Sequence, residues 1–311
     1  MRPGTEPDIA GGVVLMLHNG AMFGIRSKYD AAIERIKAFE PSDGYYLAFS
    51  GGKDSQCIYH LSKEAGVSFE AHYHLTTVDP PELVRFIKGQ YPDVIIDHPE
   101  ITMWQLIVDK KRPPTRTVRY CCEALKEGGG RGRTVMTGVR WAESAKRKNS
   151  RGMLEINAYT SHKIILNNDN DEARRMAEIC PTKGRHILNP IIDWNTEEVW
   201  EYLNGNGIPH CSLYDEGFTR IGCIGCPLSG NKGMLRSFER WPKYEKAYRR
   251  AFERMLEARR QDGDILTLWT DAQSVMDWWI YSKPSPGWGG GRRTKRPHGV
   301  VSMIMRRAAS E

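Results

Sequence analysis

Apolar residues follow two spacings along this chain. Runs at 45–49, 69–78, 94–97, 134–139 and, more weakly, 186–192 are short and rich in aromatic or β-branched residues, as buried strands require. Between most of them, at 56–65, 81–89, 102–111 and 122–126, apolar positions recur at helical spacing. Ahead of the first strand, "SKYDAAIERIKAF" sets Ala31, Ile33, Ile36 and Ala38 on one broad helical face. Strands alternating with helices predict a doubly wound parallel sheet covered on both faces, with ligands beyond the carboxyl ends of its strands.

Later in the chain, Asn195 can cap the helix "TEEVWEYLN", with Glu198 as its capping-box partner. Over 243–260, Tyr244, Tyr248, Ala251, Phe252, Met255 and Leu256 make one apolar face, and a further helix is predicted over 265–280. The end, "KPSPGWGGGRRTKRPHG", reads as a loop or tail. The expected organisation is a helical lead-in over 1–40, an α/β domain over 41–230 and a helical, basic extension over 231–311.

"YYLAFSGGKDSQCIYHL" puts a strand, two glycines, a lysine and a helix side by side. At such a turn backbone N–H groups and a helix N-terminus converge, which suits an anion. Gly51 and Gly52 permit close backbone approach, and Lys53 adds a mobile positive charge. Phosphate is the expected guest, with a plain glycine turn as the alternative. A Walker A loop is excluded, because it has four residues between its first glycine and its Gly-Lys pair.

Composition narrows the setting. With 311 residues, 40% of them hydrophobic, the chain can build one substantial core with appendages or two small domains. No apolar run approaches a membrane span, and "MRPGTEPDIAGGVVLMLHNGAMFG" reads poorly as a signal peptide. A cytoplasmic chain is expected, in which seven cysteines bind metal or react rather than pair. The net charge of +7 suits a phosphate-rich ligand or nucleic acid, and equally a solvated surface.

Cys121 and Cys122 are adjacent, and Cys223 and Cys226 form a C-x-x-C. Four thiolates can hold zinc or an iron–sulfur cluster, and four buried structural thiols are the plain alternative. Adjacent side chains on a helix diverge by about 100°, which reaches two corners of a cluster more easily than one tetrahedral ion. Cys57 lies on an apolar helix face and belongs to the core, while nothing near Cys180 or Cys211 marks an activated thiolate. Arg112, Arg116 and Arg119 precede the cysteine pair, and Arg140, Lys146 and Arg147 cluster later. Guanidinium forks suit phosphate or sulfate, with a charged solvated face as the alternative.

Ser50–Ser55 resembles the pyrophosphate loop of the adenine-nucleotide alpha-hydrolase superfamily, and the chain more narrowly resembles the PAPS reductase family. That family includes sulfonucleotide reductases and ATP pyrophosphatases of DNA phosphorothioation. "TTVDPPEL" at 76–83 resembles its segment beside the adenosine, and "GVRWAES" at 138–144 its Gly-x-Arg-x-x-Glu-Ser motif. "NPIIDWNTEEVWEYL" at 189–203 resembles its Pro-Ile-x-x-Trp helix entry, and "CSLYDEGFTRIGCIGCP" at 211–227 its stretch leading into a cysteine pair.

The resemblance implies an α/β fold of the adenine-nucleotide alpha-hydrolase type, binding ATP, PAPS or APS with Mg²⁺. It implies nucleotide contacts from Ser50, Gly51, Gly52, Lys53, Asp54, Ser55, Thr76, Thr77, Asp79, Gly138, Arg140 and Glu143. Lys53, Asp54 and Arg140 would be catalytic, and Cys121, Cys122, Cys223 and Cys226 would carry a [4Fe–4S] cluster.

Sulfite-releasing reductases of the family resemble one another in a C-terminal Glu-Cys-Gly tail whose thiol attacks sulfur, but no cysteine follows Cys226 here. The expected activity is therefore an iron–sulfur ATP pyrophosphatase that adenylates an acceptor for sulfur transfer. A PAPS or APS reductase and a non-catalytic nucleotide- and nucleic-acid-binding protein are the rival readings. Expected partners are an adenine nucleotide, a sulfur donor or reductase partner, and a nucleic-acid acceptor held by Trp288, Arg292, Arg293, Lys295, Arg296 and His298 of the tail, with a disordered tail of incidental charge as the alternative. No membrane partner is expected.

Overall fold

A computed structural model describes residues 27–156, 164–167, 186–264 and 268–281. The basic tail beyond residue 281, Cys180 and the predicted helix start at 265–267 lie outside the described residues. One sheet contains β1 Tyr45–Ala48, β2 Phe69–His74, β3 Ile95–Asp97, β4 Val135–Met136, β5 Leu154–Ile156, β6 Ile164–Leu166 and β7 Ile187–Leu188, in the order β3-β2-β1-β4-β7-β5-β6. The pairs β1–β2, β2–β3, β1–β4 and β4–β7 are parallel.

β5 runs antiparallel to both β6 and β7. The fold is α/β and doubly wound as predicted, but the sheet is mixed at one edge rather than wholly parallel. The sequence hides this edge because β5 has a charged residue at its centre. Glu155 is 1% exposed and accepts hydrogen bonds from Arg151 Nε at 2.6 Å and Asn189 Nδ2 at 2.9 Å. A buried carboxylate held through Oε1 breaks the apolar pattern without breaking the strand.

Helix α1, Lys28–Ala38, precedes the sheet. β1 leads into α2 Lys53–Ala65, β2 into α3 Pro81–Gln90, and β3 into α4 Met103–Lys110 and α5 Tyr120–Leu125. A 3₁₀ turn at Trp141–Glu143 and α6 Ala145–Ser150 follow β4; α7 Thr196–Gly205 follows β7; then come α8 Gly230–Arg240, α9 Pro242–Gln261 and α10 Ala272–Tyr281. The Asn195–Glu198 capping box forms as predicted, with both bonds between 2.7 and 2.8 Å. The predicted strands at 69–78, 134–139 and 186–192 are shorter; beyond their ends Thr76 Oγ1 accepts from Val78 N–H, Thr137 Oγ1 donates to Asn189 and Asn189 Nδ2 donates to Gly152 O.

Successive strand residues face opposite sides of the sheet. Tyr45 and Leu47 enter a core shared with Cys57, Ile58 and Leu61 of α2, and Cys57 is buried there as predicted. The same core continues through Tyr248, Phe252 and Met255 of α9 to Val275 and Trp279 of α10. Tyr46 faces the other way and joins Val135 and Ile187. It stands beside His72, His74 and Asp97 at a cavity of about 340 Å³.

From β1 the chain steps outward through β2 and β3, then returns to place β4 on the other side of β1. Such a reversal leaves a crevice at the carboxyl ends of the two central strands. The segment leaving β1 is Ser50–Ser55, and the segment leaving β4 carries Gly138 and Arg140.

Candidate functional site

The loop after β1 is fixed by its own side chains. Ser55 Oγ accepts from Ser50 N–H and from Ser50 Oγ, both at 3.1 Å, and donates to Gly52 O at 2.9 Å. Gly51 has φ +69°, and a Cβ there would stand 2.7 Å from Ile87 Cδ1 and 2.8 Å from Leu83 Cδ1. This turn requires glycine on both counts. Gly52 is the N-cap of α2 and supplies no capping side chain. Lys53 N–H donates to Tyr214 Oη at 2.9 Å, across 161 residues of sequence. The first-turn N–H groups of Asp54 and Ser55 have no partner among the described residues. Such groups form a ready anion site.

Charge at the loop is unbalanced. Asp54 accepts from Lys53 Nζ at 3.3 Å through one oxygen and from Arg140 Nε at 2.7 Å through the other. Both cations are buried, their side chains 7% and 2% exposed. Two cations share one carboxylate, so the group is positive. Arg140 Nη1 also donates to Trp194 O at 3.2 Å. Gly138 makes this meeting possible, because a Cβ there would stand 2.8 Å from the Asp54 carbonyl carbon and oxygen.

Glu143 accepts from Arg140 N–H at 3.1 Å and pairs with Arg147. Burial lowers the Arg147 pKa against the pull of Glu143, and Arg220 and Arg151 lower it further. The sequence thus brings Ser50, Gly51, Gly52, Lys53, Asp54, Ser55, Gly138, Arg140 and Glu143 to one place.

Thr76, Thr77 and Asp79 fall beside the thiols. Thr76 N–H donates to Asp79 Oδ2 at 2.6 Å, and Thr76 Oγ1 lies 3.5 Å from Cys223 Sγ. Thr77 has φ +65°, and its hydroxyl accepts from Met103 N–H at 3.0 Å at the start of α4. Ile224 N–H donates to Val78 O at 2.8 Å, tying the C-x-x-C turn to this segment.

Cys121 and Cys122 come from α5, and Cys223 and Cys226 from the turn before α8. Interaction with the Cys121 thiol, with Arg119 beside it, holds the Cys122 thiol below its ordinary range. The same interaction and burial push Cys121 up, with Cys122, Cys223 and Cys226 adding to the shift. Burial and Cys223 raise Cys226. Cys223 and Asp79 hold charged the ammonium of Lys126, which the sequence reading did not single out. Its position four residues after Cys122, within reach of one helix face, was the available signal.

Gly225 in the C-x-x-C turn has φ +69°, and a Cβ there would stand 2.7 Å from Phe238 Cζ. Tyr248 Oη donates to Ile224 O at 3.0 Å and Tyr244 Oη to Asp79 O at 3.2 Å. Among the described residues, no three His, Cys, Asp or Glu side chains close around a single ion. The four thiols thus come from two segments, α5 and the C-x-x-C turn.

A strand–loop–helix turn at the reversal point of a doubly wound sheet defines an α/β protein of the doubly wound, ligand-binding class. The chain belongs to the phosphoadenosine phosphosulfate reductase family, matching the "Phosphoadenosine phosphosulfate reductase domain" over residues 44–229. It is 26% identical over 204 residues to an uncharacterized protein of Methanocaldococcus jannaschii, covering 63% of this chain and 44% of that protein. It is 24% identical over 177 residues to adenosine 5'-phosphosulfate reductase of Oceanobacillus iheyensis, covering 53% of this chain and 62% of the relative.

Among solved structures it is similar to phosphoadenylyl-sulfate reductase from Candida auris, with a TM-score of 0.41, 14% identity, and coverage of 71% of this chain and 98% of that one. It is also similar to the U34-tRNA thiolase NcsA from Methanococcus maripaludis with its [4Fe-4S] cluster, with a TM-score of 0.39, 13% identity, and coverage of 76% and 80%. No helix among the described residues is long and apolar enough to cross a membrane.

Proposed function

We propose that this protein is an ATP pyrophosphatase that adenylates an acceptor and so prepares it for sulfur transfer. The observation that supports it most is the charge at the loop, where buried Lys53 and Arg140 share the single carboxylate of Asp54. An unbalanced buried cation is costly, and an anionic ligand offsets that cost. Pyrophosphate fits, because the free N–H groups of Asp54 and Ser55 adjoin the same charge.

In the proposed reaction an acceptor oxygen attacks the α-phosphorus of ATP. The bond from that phosphorus to the α–β bridging oxygen breaks, and pyrophosphate leaves with the electron pair. Lys53 stabilises the charge developing on the leaving group, and Arg140 holds Asp54 in place beside it. A sulfur nucleophile then attacks the activated acceptor carbon, and AMP departs on its oxygen. Mg²⁺ would neutralise the phosphates, and Asp54 is the loop carboxylate available to it. Thr76, Thr77 and Asp79 would line the adenosine side, Gly138 would let Arg140 close on Asp54, and Glu143 would orient Arg140 and Arg147.

Cys121, Cys122, Cys223 and Cys226 would hold a [4Fe–4S] cluster, which when bound would supply an iron site for a sulfur ligand. A nucleic acid is the acceptor class supported by the basic tail sequence, and a sulfur donor is required by the second step. The test uses anaerobically purified full-length protein. Acceptor-dependent release of pyrophosphate and AMP from ATP supports the reading. Sulfite from PAPS or APS with thioredoxin, and no pyrophosphate from ATP, would replace it with a reductase.

A further inference from the structure

The N-terminus of α2 is capped by a residue from a distant segment. A helix start leaves its first N–H groups without helical carbonyls, and a capping side chain usually takes one of them. Gly52 has none to offer. The partner found instead is Tyr214, whose hydroxyl accepts from Lys53 N–H at 2.9 Å. That hydroxyl lies 3.4 Å from the point a Gly52 Cβ would occupy, so it sits over the backbone that a phosphate must approach. Burial pushes the Tyr214 pKa up, which keeps the phenol neutral. A neutral oxygen is a weaker acceptor for a helix-terminal N–H than an anionic phosphate oxygen.

Tyr214 is also placed to transmit a displacement. Its ring packs edge-on against Trp200 of α7, with centroids 5.0 Å apart at 90°. Its backbone is tied locally, Tyr214 N–H to Cys211 O at 3.0 Å and Gly217 N–H to Tyr214 O at 2.9 Å. The same segment runs on to Cys223.

We propose that Tyr214 is a removable cap on the loop: its hydroxyl occupies the Lys53 N–H that a pyrophosphate oxygen takes, and anion binding displaces it from that contact and from its packing on Trp200. The inference rests on the anion-binding reading of the loop. It makes Tyr214 a gate that competes with the ligand, rather than a residue that helps hold it.

The experiment compares full-length wild type with Tyr214→Phe, using inorganic pyrophosphate as the probe. Calorimetry should show tighter binding to the variant, by about fivefold, the factor that one net hydrogen bond supplies. Without pyrophosphate the variant should melt below wild type, and saturating pyrophosphate should close that gap. Equal or weaker binding by the variant overturns the gate and leaves the anion site standing. Binding to neither protein overturns the site and the gate together. Should the variant not fold, tryptophan emission of the wild type still decides. Pyrophosphate should change it, and a Trp200→Phe protein should lose that change; a wild type that binds pyrophosphate with unaltered emission overturns the proposal.

Discussion

Arg140 and Asp54 leave the sheet from two different strands and meet at 2.7 Å, with the guanidinium 2% exposed and the carboxylate 24%. Arg140→Met removes one of the two cations and leaves Asp54 neutralised by Lys53 alone. Stability should fall by about 2–3 kcal/mol, somewhat less than for a fully enclosed pair because water reaches the carboxylate. Pyrophosphate affinity should fall by about tenfold or more, the loss of one strong charged contact. Asp54→Asn removes the shared anion instead, so pyrophosphate should bind at least as tightly while the fold weakens. Calorimetry and urea unfolding of both variants measure this. Parallel losses of affinity in the two would show that Asp54 serves the ligand rather than the cations.

The adjacent loop glycines should separate by role. Gly51→Ala introduces a Cβ at φ +69° against Ile87 and Leu83, which is expected to cost about 1–2 kcal/mol of stability before any ligand is considered. Gly52→Ala has its nearest neighbours at 3.4 Å and an ordinary φ of −81°, so it should fold like wild type. Its Cβ still faces the phosphate approach, and pyrophosphate binding should weaken. Thermal melts with calorimetry on both proteins check the contrast; a Gly52→Ala protein with normal affinity would leave that glycine without a ligand role.

At the thiols, anaerobically prepared protein should contain iron and sulfide. Serine at any one of Cys121, Cys122, Cys223 or Cys226 should lower both and destabilise the fold, since the ligands join two distant segments. Gly225→Ala should lower iron content without removing a ligand, by forcing the turn away from Phe238. Stoichiometric zinc with no iron or sulfide, in protein kept from oxygen throughout, would sink the cluster.

Acid should weaken the fold through two histidines. Burial lowers His186 from its ordinary 6.5, and burial together with Lys63 lowers His60 against the pull of Glu64 and Asp93. A histidine with a depressed folded pKa stays neutral in the fold and gains its proton on unfolding. Its contribution is whole above the ordinary value of 6.5 and is lost as pH falls through the lower folded value. Urea midpoints should therefore drop between about pH 7.5 and about pH 5.5, and less so in a His60→Gln, His186→Gln double variant. Identical slopes in the two proteins would remove these histidines from the account.

The loop was legible because its chemistry is local: strand, glycines, lysine and helix all fall within "YYLAFSGGKDSQCIYHL". The Asn195 capping box was legible for the same reason. Gly138 and Arg140 could be singled out from their motif, but their contact with Asp54 depends on which strands become neighbours. Tyr214 lies in the motif stretch at 211–227, but its contact could not be read there, since its partner lies 161 residues away. Glu155 misled the pattern in the other direction, as a buried charge reads as solvent-facing until Arg151 and Asn189 are seen beside it.

Tyr244 and Tyr248 donate from α9 to Asp79 O and Ile224 O, and α9 and α10 fill the same core as β1 and α2. The stretch bearing the family's sequence signature is therefore no free-standing fragment. A protease cut ahead of α8 would spare every motif and still strip the back wall from the cysteine turn, freeing two carbonyls and baring Phe238's neighbours to water. Resistance to proteolysis in the 230–281 region should track the integrity of the thiols, although no residue there is one of them.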